Sequence, residues 1–298
     1  RADGSPLYTL AVAVDDVLMK ITHVLRGEDL LSSTPRQIRV YQAMGLKPNE
    51  YPIFAHLPFV MGQDNAKLSK RNGEVSIAWY REQGFLPEAI CNYLALLGWS
   101  PGDDKENITM QELVELFTVE RVNSSPARFD MKKLEAINGD KIRALTLDEF
   151  LQWSLPFLTN AGVITGTESE IALVKSALPI IQERIVKLDE TPALLNFLFV
   201  KDFAVDADAV SKITDDGSKE ILKRSIKELE TVSDWNHTNI EAVLRASLIE
   251  EMALKPRIAF TALRIATTGS TISPPLFESM ELLGKEACLL RINAGLTL

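Results

Sequence analysis

The chain has 298 residues, of which 46% are hydrophobic and 24% are charged, and its formal net charge is −9. This length allows two or three domains with a sizeable core. The acidic balance excludes the molecule-wide basic field of a non-specific nucleic-acid binder, although local basic patches are compatible with a specific RNA partner.

The two cysteines and the lack of long apolar runs indicate the cellular compartment of the protein. Cys91 and Cys288 lie far apart in apolar, helix-like segments and have no metal-ligand spacing. We therefore expect two reduced core residues, no protein metal site and a cytoplasmic protein. No apolar run approaches the roughly 20 residues that span a bilayer, so we expect no membrane partner.

The first sixty residues have an α/β pattern. The apolar residues 7–12 and residues 20–27 predict strands, the second of them ending in Gly27. Ser33-Thr34-Pro35 predicts the start of a helix that ends at Gly45, and residues 51–57 predict another strand. The chain begins without a methionine, which suggests that it was cut from a longer protein.

A cationic loop follows at residues 67–71, with the sequence KLSKR. Two lysines flank a serine, and an arginine follows, so mobile cations and a hydroxyl group are available to a polyphosphate. The alternative is a solvated turn before a helix, because lysine-rich surface loops are common.

The rest of the chain is predicted to be helical. Ser76 caps a helix that ends at Gly84, and Pro87 opens another that ends at Gly98. Asn138-Gly139 and Ala161-Gly162 predict turns, and no alternating strand pattern follows residue 145. Further helix starts are predicted by four Thr-x-x-Glu capping boxes and two hydroxyl-Pro pairs: Thr109/Glu112, Thr146/Glu149, Thr167/Glu170, Thr238/Glu241, Thr191-Pro192 and Ser273-Pro274.

Motifs in a fixed order run along nearly the whole chain. They are Ser5-Pro6-Leu7-Tyr8-Thr9-Leu10-Ala11, Val14-Asp15-Asp16, residues 23–30 (HVLRGEDL), Ser33-Thr34-Pro35, His56-Leu57-Pro58, KLSKR, residues 84–89 (GFLPEA), Asn92-Tyr93-Leu94, Leu97-Gly98-Trp99, Phe129-Asp130, Lys132-Lys133-Leu134, Leu263-Arg264, Thr268-Gly269 and Leu282-Leu283-Gly284-Lys285. In this order they resemble the C-terminal part of a bacterial-type glutamyl-tRNA synthetase, a class I aminoacyl-tRNA synthetase.

The resemblance implies a mixed, mainly α fold in three domains. Residues 1–60 would be the C-terminal part of a Rossmann-type α/β catalytic domain. Residues 61–145 would form a helical stem-contact domain with the KLSKR loop. Residues 146–298 would form an all-helical anticodon-binding domain.

The resemblance also implies activation of glutamate by ATP, with Mg²⁺, and transfer of the glutamyl group to tRNA-Glu by a monomer. Lys67 and Lys70 would be the catalytic cations, because negative charge develops on phosphate oxygens. Asp29, Val60 and the loop residues would bind ATP; the loop residues are Lys67, Leu68, Ser69, Lys70 and Arg71.

Tyr8, Val12 and Arg26 would bind L-glutamate. A guanidinium group can bind a carboxylate through two parallel hydrogen bonds, so Arg26 suits the substrate side chain. Judged from the residues alone, the alternative is a local ion pair between Arg26 and Glu28 or Asp29.

Two departures from the family pattern are present. Val12 replaces the usual asparagine, which removes a hydrogen-bond partner worth about 1–3 kcal/mol if the substrate group stays unpaired. The His-x-Gly-His signature is absent, since the three histidines are His23, His56 and His237. We therefore expect that this chain alone does not catalyse adenylation.

By the resemblance, basic side chains in both later domains are candidates for tRNA binding. They are Arg121, Arg128, Lys132 and Lys133 for the inner arm, and Lys255, Arg257 and Arg264 for the anticodon region. The alternative for each is a solvated helix face. For the whole chain, the alternatives are a catalytically silent tRNA-binding fragment or paralogue, and a helical scaffold with an incidental lysine loop.

Overall fold

The computed structural model describes residues 1–62, 76–102 and 104–298. The KLSKR residues Lys67, Leu68, Ser69, Lys70 and Arg71 lie outside the described residues. The chain forms two compact units. The first comprises Arg1–Trp79 and Pro87–Ile137, and the second comprises Tyr80–Leu86 and Asn138–Leu298. No helix in the described part of the chain is both long and apolar enough to cross a membrane.

The first unit contains a small parallel sheet with helices. Its regular elements are α1 (Tyr8–Leu18), β1 (His23–Gly27), α2 (Thr34–Ala43), β2 (Ile53–Leu57), the start of α3 (Ile77–Glu82), α4 (Pro87–Gly98), α5 (Met110–Leu116) and the start of α6 (Met131–Ala144). Single 3₁₀ turns lie at Glu28–Ser33, Pro48–Glu50 and Val119–Arg121.

Strands β1 and β2 pair in parallel, with Arg26 opposite His56 and Gly27 opposite Leu57. Parallel strands need a crossover connection, and α2 lies in the segment that supplies it. The carboxyl ends of the two strands therefore lie at one edge of the sheet, where open α/β sheets bind ligands. The strands predicted at residues 20–27 and 51–57 are confirmed, and so is the helix that ends before Gly45, which has a φ of 90°.

The predicted strand at residues 7–12 is wrong, because this segment belongs to the eleven-residue helix α1. A short apolar run does not distinguish a strand from a helix; only the continuation to Leu18 gives helical length. Helix α1 packs on α2: Ala13 is buried, and the Tyr41 hydroxyl donates to Asp16 Oδ2 at 2.8 Å.

The turn predicted at Asn138-Gly139 is also wrong, since both residues lie inside α6. The Asn138 side chain is fully buried. Its Oδ1 accepts from the Leu86 backbone at 2.8 Å, and its Nδ2 donates to the carbonyls of Val186 at 2.6 Å and Gly84 at 3.3 Å. These tertiary bonds offset the low helix propensity of the Asn-Gly pair.

All regular elements of the second unit are helical, which confirms the expectation for the C-terminal half. Besides the ends of α3 and α6 they are α7 (Leu147–Asn160), α8 (Glu168–Ala177), α9 (Pro179–Gln182), α10 (Thr191–Leu195), α11 (Ala207–Val210), α12 (Asp216–Glu230), α13 (His237–Leu244), a π-helical turn (Arg245–Glu251), α14 (Pro256–Thr268), α15 (Leu276–Leu283) and α16 (Lys285–Leu296), with 3₁₀ turns at Leu188–Glu190 and Asn196–Leu198. One apolar core joins α12, α13, α14 and α16, and Leu263 and Ile292 are completely buried in it.

Local helix signals succeed at most sites and fail at two. The capping boxes at Thr109, Thr146 and Thr167 are formed, and α10 begins at Thr191. The box at Thr238 is not formed, because the N-cap of α13 is Asn236, two residues earlier, whose side chain accepts from the Asn239 backbone. Likewise, α15 begins at Leu276 and not at Ser273-Pro274, since Arg264 donates to Ser273 Oγ and Pro274 O.

The two cysteines differ in exposure. Cys288 is buried, as expected, whereas Cys91 is exposed, so the prediction of a core position for Cys91 is wrong. Cys91 lies on α4, whose buried side chains are Ala89, Ile90, Asn92 and Tyr93. The buried face of this helix is formed by the residues before and after Cys91, and the Cys91 side chain lies on the exposed face.

Candidate functional site

Arg26 lies at the carboxyl end of β1 and is bound by neutral groups. Its Nε donates to His56 Nε2 at 3.3 Å, and its Nη2 donates to Thr34 Oγ1 and Gln37 Oε1 at 2.8 Å each. Nη2 also lies 3.3 Å from the Leu30 carbonyl. The local ion pair with Glu28 or Asp29, the alternative for this arginine, is not formed among the described residues.

One nitrogen of the guanidinium group has no acceptor among the described residues. Arg26 Nη1 is buried and has no hydrogen-bond partner in the described part of the chain. The guanidinium carbon lies 5.5 Å from the centre of the Phe54 ring, which supports its face. A cation with neutral partners and a donor nitrogen that is unbonded in the described part of the chain is suited to a carboxylate ligand.

Tyr8 and Val12 lie one turn apart on α1, and Asp16 follows one turn later on the same face. The buried Tyr41 connects this face to Arg26. Burial raises the Tyr41 pKa, as does the hydrogen bond to Asp16; the nearby Arg26 cation opposes this shift, and Tyr8 adds to it. Tyr41 also stacks on Phe54 with ring centres 6.4 Å apart. The structure thus brings Tyr8 and Arg26 into one neighbourhood.

Asp29 and Val60 follow the carboxyl ends of β1 and β2 respectively. Asp29 is exposed, and its Oδ1 lies 2.5 Å from the place where a Cβ on Gly27 would be. A Cβ at position 27 would displace the Asp29 carboxylate from this position, so Gly27 leaves room for the carboxylate beside the strand end. Both residues lie at the sheet edge where ligands bind in α/β folds, and their ATP contacts stay a prediction.

Sequence reasoning missed the residues that hold Arg26. Thr34, Gln37 and Tyr41 recur at three- and four-residue spacing on α2, and His56 is the cross-strand partner of Arg26. The available signal was the helical spacing of these side chains, which places Thr34, Gln37 and Tyr41 on one face of α2. This spacing does not predict which strand packs against that face of α2.

The described residues offer no group of three or more His, Cys, Asp or Glu side chains that could hold a metal ion. A cleft of about 500 Å³ lies beside Asp16, Lys20, His23 and Ile53. These residues surround the amino-terminal ends of β1 and β2, so this cleft is not at the Arg26 edge.

The four basic candidates of the first unit have different environments. The Arg121 side chain donates to the Pro101 carbonyl, and Arg128 pairs with Met61 in an isolated bridge. Lys132 is exposed, whereas Lys133 Nζ lies 2.6 Å from Glu106 Oε1. An exposed ion pair contributes little to stability, so the Lys133 ammonium group can exchange its partner for a phosphate.

In the second unit Lys255 and Arg257 are exposed at the start of α14. Arg257 also lines a cleft of about 480 Å³ with Lys212, Asp215 and Met252. Arg264 is less accessible, and its Nη1 donates to Pro274 O at 2.8 Å. Burial lowers the Arg264 pKa first, and the nearby Arg184 cation lowers it further. Arg184, which sequence reasoning missed, therefore adds a second cation close to Arg264.

Comparison with known proteins places this geometry in a family. Residues 147–296 match the family described as anticodon binding domain, and residues 1–136 match tRNA synthetases class I (E and Q), catalytic domain. The chain belongs to the class I tRNA synthetases. The resemblance drawn from the ordered motifs is thereby confirmed, and so is the mainly helical fold with catalytic and anticodon-binding parts.

Relatives of this synthetase chain share a name. A glutamate–tRNA ligase of Saccharopolyspora erythraea is 48% identical over 301 residues, which cover 99% of this chain and 60% of the relative. One from Arthrobacter sp. (strain FB24) is 49% identical, with 99% and 59% covered. The chain thus spans about 60% of the length of the curated relatives that it matches.

A solved synthetase structure has the same fold. The crystal structure of a glutamate tRNA ligase from Elizabethkingia meningosepticum in complex with its amino acid superposes with a TM-score of 0.81 and 28% identity. It covers 99% of this chain and 61% of the other. The roles of individual residues in this chain stay predictions.

Proposed function

We propose that this chain carries the glutamate and tRNA contacts of an ATP-dependent glutamate–tRNA ligase, which joins glutamate to tRNA-Glu through glutamyl-adenylate. The observation that carries the proposal is Arg26, a guanidinium group whose described partners are neutral and whose Nη1 is unbonded among the described residues. A cation in this state favours an acidic amino acid.

In the proposed glutamate site, Arg26 binds the side-chain carboxylate, and Tyr8 and Val12 contact the substrate from α1. Tyr8 is 50% exposed, so its hydroxyl is available to a ligand. Val12 offers only apolar contact. The amide-bearing partner that the family usually has there is missing, which weakens glutamate binding.

In the proposed ATP site, Asp29 and Val60 lie at the sheet edge, and Lys67, Leu68, Ser69, Lys70 and Arg71 contact the phosphates. Lys67 and Lys70 offset negative charge on the α- and bridging phosphate oxygens as pyrophosphate leaves. Mg²⁺ commonly accompanies ATP, and the ATP phosphates serve as ligands of the ion. The described residues include no cluster of metal ligands, so we assign no residue to it.

For tRNA, we propose that Lys255, Arg257 and Arg264 contact the anticodon region and that Arg121, Arg128, Lys132 and Lys133 contact the inner arm. The match of residues 147–296 to an anticodon binding domain supports the first group. We further propose three domains, at residues 1–60, 61–145 and 146–298. We also propose that the protein is a cytoplasmic monomer that does not contact a membrane.

A catalytically silent tRNA-binding fragment or paralogue is the second candidate. It is favoured by the absence of His-x-Gly-His from these 298 residues. The two candidates agree on tRNA binding and differ in whether Arg26 and the KLSKR loop face a complete active site.

The experiment that tests the tRNA assignment is equilibrium binding of the chain to a tRNA-Glu transcript and its anticodon variants at fixed salt. We expect binding that weakens when anticodon bases change, because unstacked bases are recognised through their edges. Equal binding to every variant would contradict the assignment of the helical module.

A matched pair of variants tests the phosphate contacts. Lys255→Ala should reduce the salt dependence of binding by about one phosphate contact. Lys227→Ala, an exposed lysine on α12, should leave it unchanged. If the two variants changed the salt dependence equally, binding would depend on the overall charge of the chain and not on a specific contact of Lys255.

A further inference from the structure

Gln37 is a buried polar residue beside Arg26. It lies on α2 and has 0% relative exposure. Its Oε1 accepts from Arg26 Nη2 at 2.8 Å, whereas its Nε2 is buried without a hydrogen-bond partner in the described part of the chain. The amide orientation follows from chemistry, since a guanidinium group only donates and must face the oxygen.

Two buried donors on neighbouring side chains therefore lack acceptors in the described part of the chain. They are Gln37 Nε2 and Arg26 Nη1, on side chains that one hydrogen bond joins. Buried donors are nearly always satisfied in folded proteins. A carboxylate has about four lone-pair sites and can accept from several donors, so an acidic ligand suits this pair better than an amide does.

The neutrality of Gln37 matters as much as its hydrogen bond. The other described partners of the Arg26 side chain, Thr34, His56 and the Leu30 carbonyl, bear no formal negative charge. On α1, the Asp16 carboxylate accepts from the Tyr41 hydroxyl. A carboxylate at position 37 would form an ion pair with Arg26 and cancel its charge towards a ligand.

We propose that Gln37 is a specificity-determining positioning residue, which holds Arg26 through a neutral acceptor and so preserves the preference for glutamate over glutamine. This inference rests on the proposed function, because it assumes that Arg26 receives the substrate side chain. The chemical class of the ligand is an amino acid with a side-chain carboxylate.

The test compares two isosteric Gln→Glu changes on one helix. Gln37→Glu keeps the shape and the acceptor but adds a negative charge beside Arg26. Gln42→Glu is the matched control, because exposed Gln42 accepts from Arg39 Nη1 at 3.1 Å. The dissociation constants of glutamate and glutamine are measured by NMR titration of the full 298-residue chain.

We expect the unchanged chain and Gln42→Glu to prefer glutamate. Gln37→Glu should bind glutamate about tenfold more weakly or worse and lose the preference, since one charge-assisted hydrogen bond is worth that factor. A purely structural role would change the thermal midpoint and leave the ratio of the two constants intact. Gln37→Glu with the original ratio would overturn the inference and leave the proposed function standing.

A second readout separates the two ideas. If the unchanged chain shows no preference and Arg26→Lys alters nothing, the proposed glutamate site fails. Positioning is then judged from the NMR signal of the Arg26 Nε–H group. We expect faster hydrogen exchange of this group in Gln37→Met and a shifted signal in Gln37→Glu. Unchanged exchange and position in both variants would overturn the positioning role too.

Discussion

At the residue scale, the environment of Arg26 decides what it can do. An arginine beside a carboxylate has its positive charge partly offset and must exchange that partner for a ligand. Arg26 has instead a ring beneath it, neutral acceptors on two of its nitrogens and a third nitrogen unbonded in the described part of the chain. The side chain is therefore oriented and retains its charge.

Replacing Arg26 by lysine tests whether its fork geometry is used. Arg26→Lys keeps a positive charge but removes the planar pair of donors, so we expect glutamate affinity to fall about tenfold or more. Isothermal titration with glutamate measures the change. Arg39→Lys, at an exposed position on α2, is the control and should bind normally. Equal affinity for Arg26→Lys and the unchanged chain would remove Arg26 from the site.

The cysteines should differ in reactivity. Burial raises the pKa of the Cys288 thiol to about 12, whereas Cys91 is exposed. Because the thiolate is the nucleophile, iodoacetamide should modify Cys91 in the folded protein and reach Cys288 only after unfolding in urea. Peptide mass spectrometry identifies the modified residue. Rapid modification of both residues without denaturant would show that the core around Cys288 opens.

At the element scale, helix ends are set locally and helix interiors are not. The Thr-x-x-Glu boxes contain both partners within four residues, so the sequence displays them directly. Asn138-Gly139 has the composition of a turn, yet Asn138 bonds three backbone groups from distant segments and the helix continues through it. Tertiary bonds outweigh local propensity here.

Removing the Asn138 amide should destabilise the second unit. Asn138→Ala removes the partner of the Leu86 N–H and of the Val186 carbonyl, whereas the Gly84 carbonyl still accepts from the Leu188 backbone. We expect a loss of about 2–4 kcal/mol in the free energy of unfolding. Urea unfolding followed by circular dichroism measures this loss. Asn293→Ala is the control, because the exposed Asn293 amide bonds only the Leu289 carbonyl of its own helix. Equal small losses would mean that water replaces the Asn138 bonds.

The capping boxes predict an acid-sensitive stability. Hydrogen bonds from the Thr167 backbone lower the Glu170 pKa from 4.5 to about 2, and the Lys105 side chain and the Thr109 cap lower the Glu112 pKa to about 2. A carboxyl group whose pKa falls on folding stabilises the protein above its unfolded pKa. This stability is lost as the pH falls from 4.5 towards about 2.

Glu170→Gln should therefore lose stability at neutral pH and show a shallower decline in acid. Chemical unfolding at several pH values measures both. Glu168→Gln removes a charge from the same first turn without removing a cap bond. Its stability should therefore fall in acid as steeply as that of the unchanged chain. A Glu170→Gln chain with the full decline would place the acid-sensitive groups elsewhere.

At the scale of the whole molecule, the first unit leaves much apolar surface exposed. Leu18 and Met19 are each 71% exposed, and Leu7 and Ile53 exceed half exposure. Parallel sheets are normally covered on both faces, and this sheet has two strands in the described part of the chain. Such a unit is consistent with a chain that spans about 60% of its relatives' length.

We expect the chain alone to bind tRNA without exchanging pyrophosphate into ATP. The His-x-Gly-His signature is absent from its 298 residues, and adenylation needs the whole charge-stabilising constellation. Glutamate-dependent exchange of labelled pyrophosphate is the measurement, with a glutamate-free reaction as the control. Robust exchange would show that the present residues suffice and would reject the silent-fragment candidate.

The sequence alone determined the family, the all-helical second half, both strands and most helix ends. These features depend on residues close together in the chain or on motifs in a fixed order, and both are visible without coordinates. The assignment of Arg26 to a carboxylate also came from the sequence, through its place in the HVLRGEDL motif.

Only the tertiary structure decided how Arg26 is held and which residues share its neighbourhood. Its partners come from Leu30, Thr34, Gln37 and His56, and the register of β1 with β2 brings His56 opposite it. The helical state of residues 8–18, the buried position of Asn138 and the exposure of Cys91 were decided in the same way. Each depends on which surface packs against a segment, and local propensity does not contain that information.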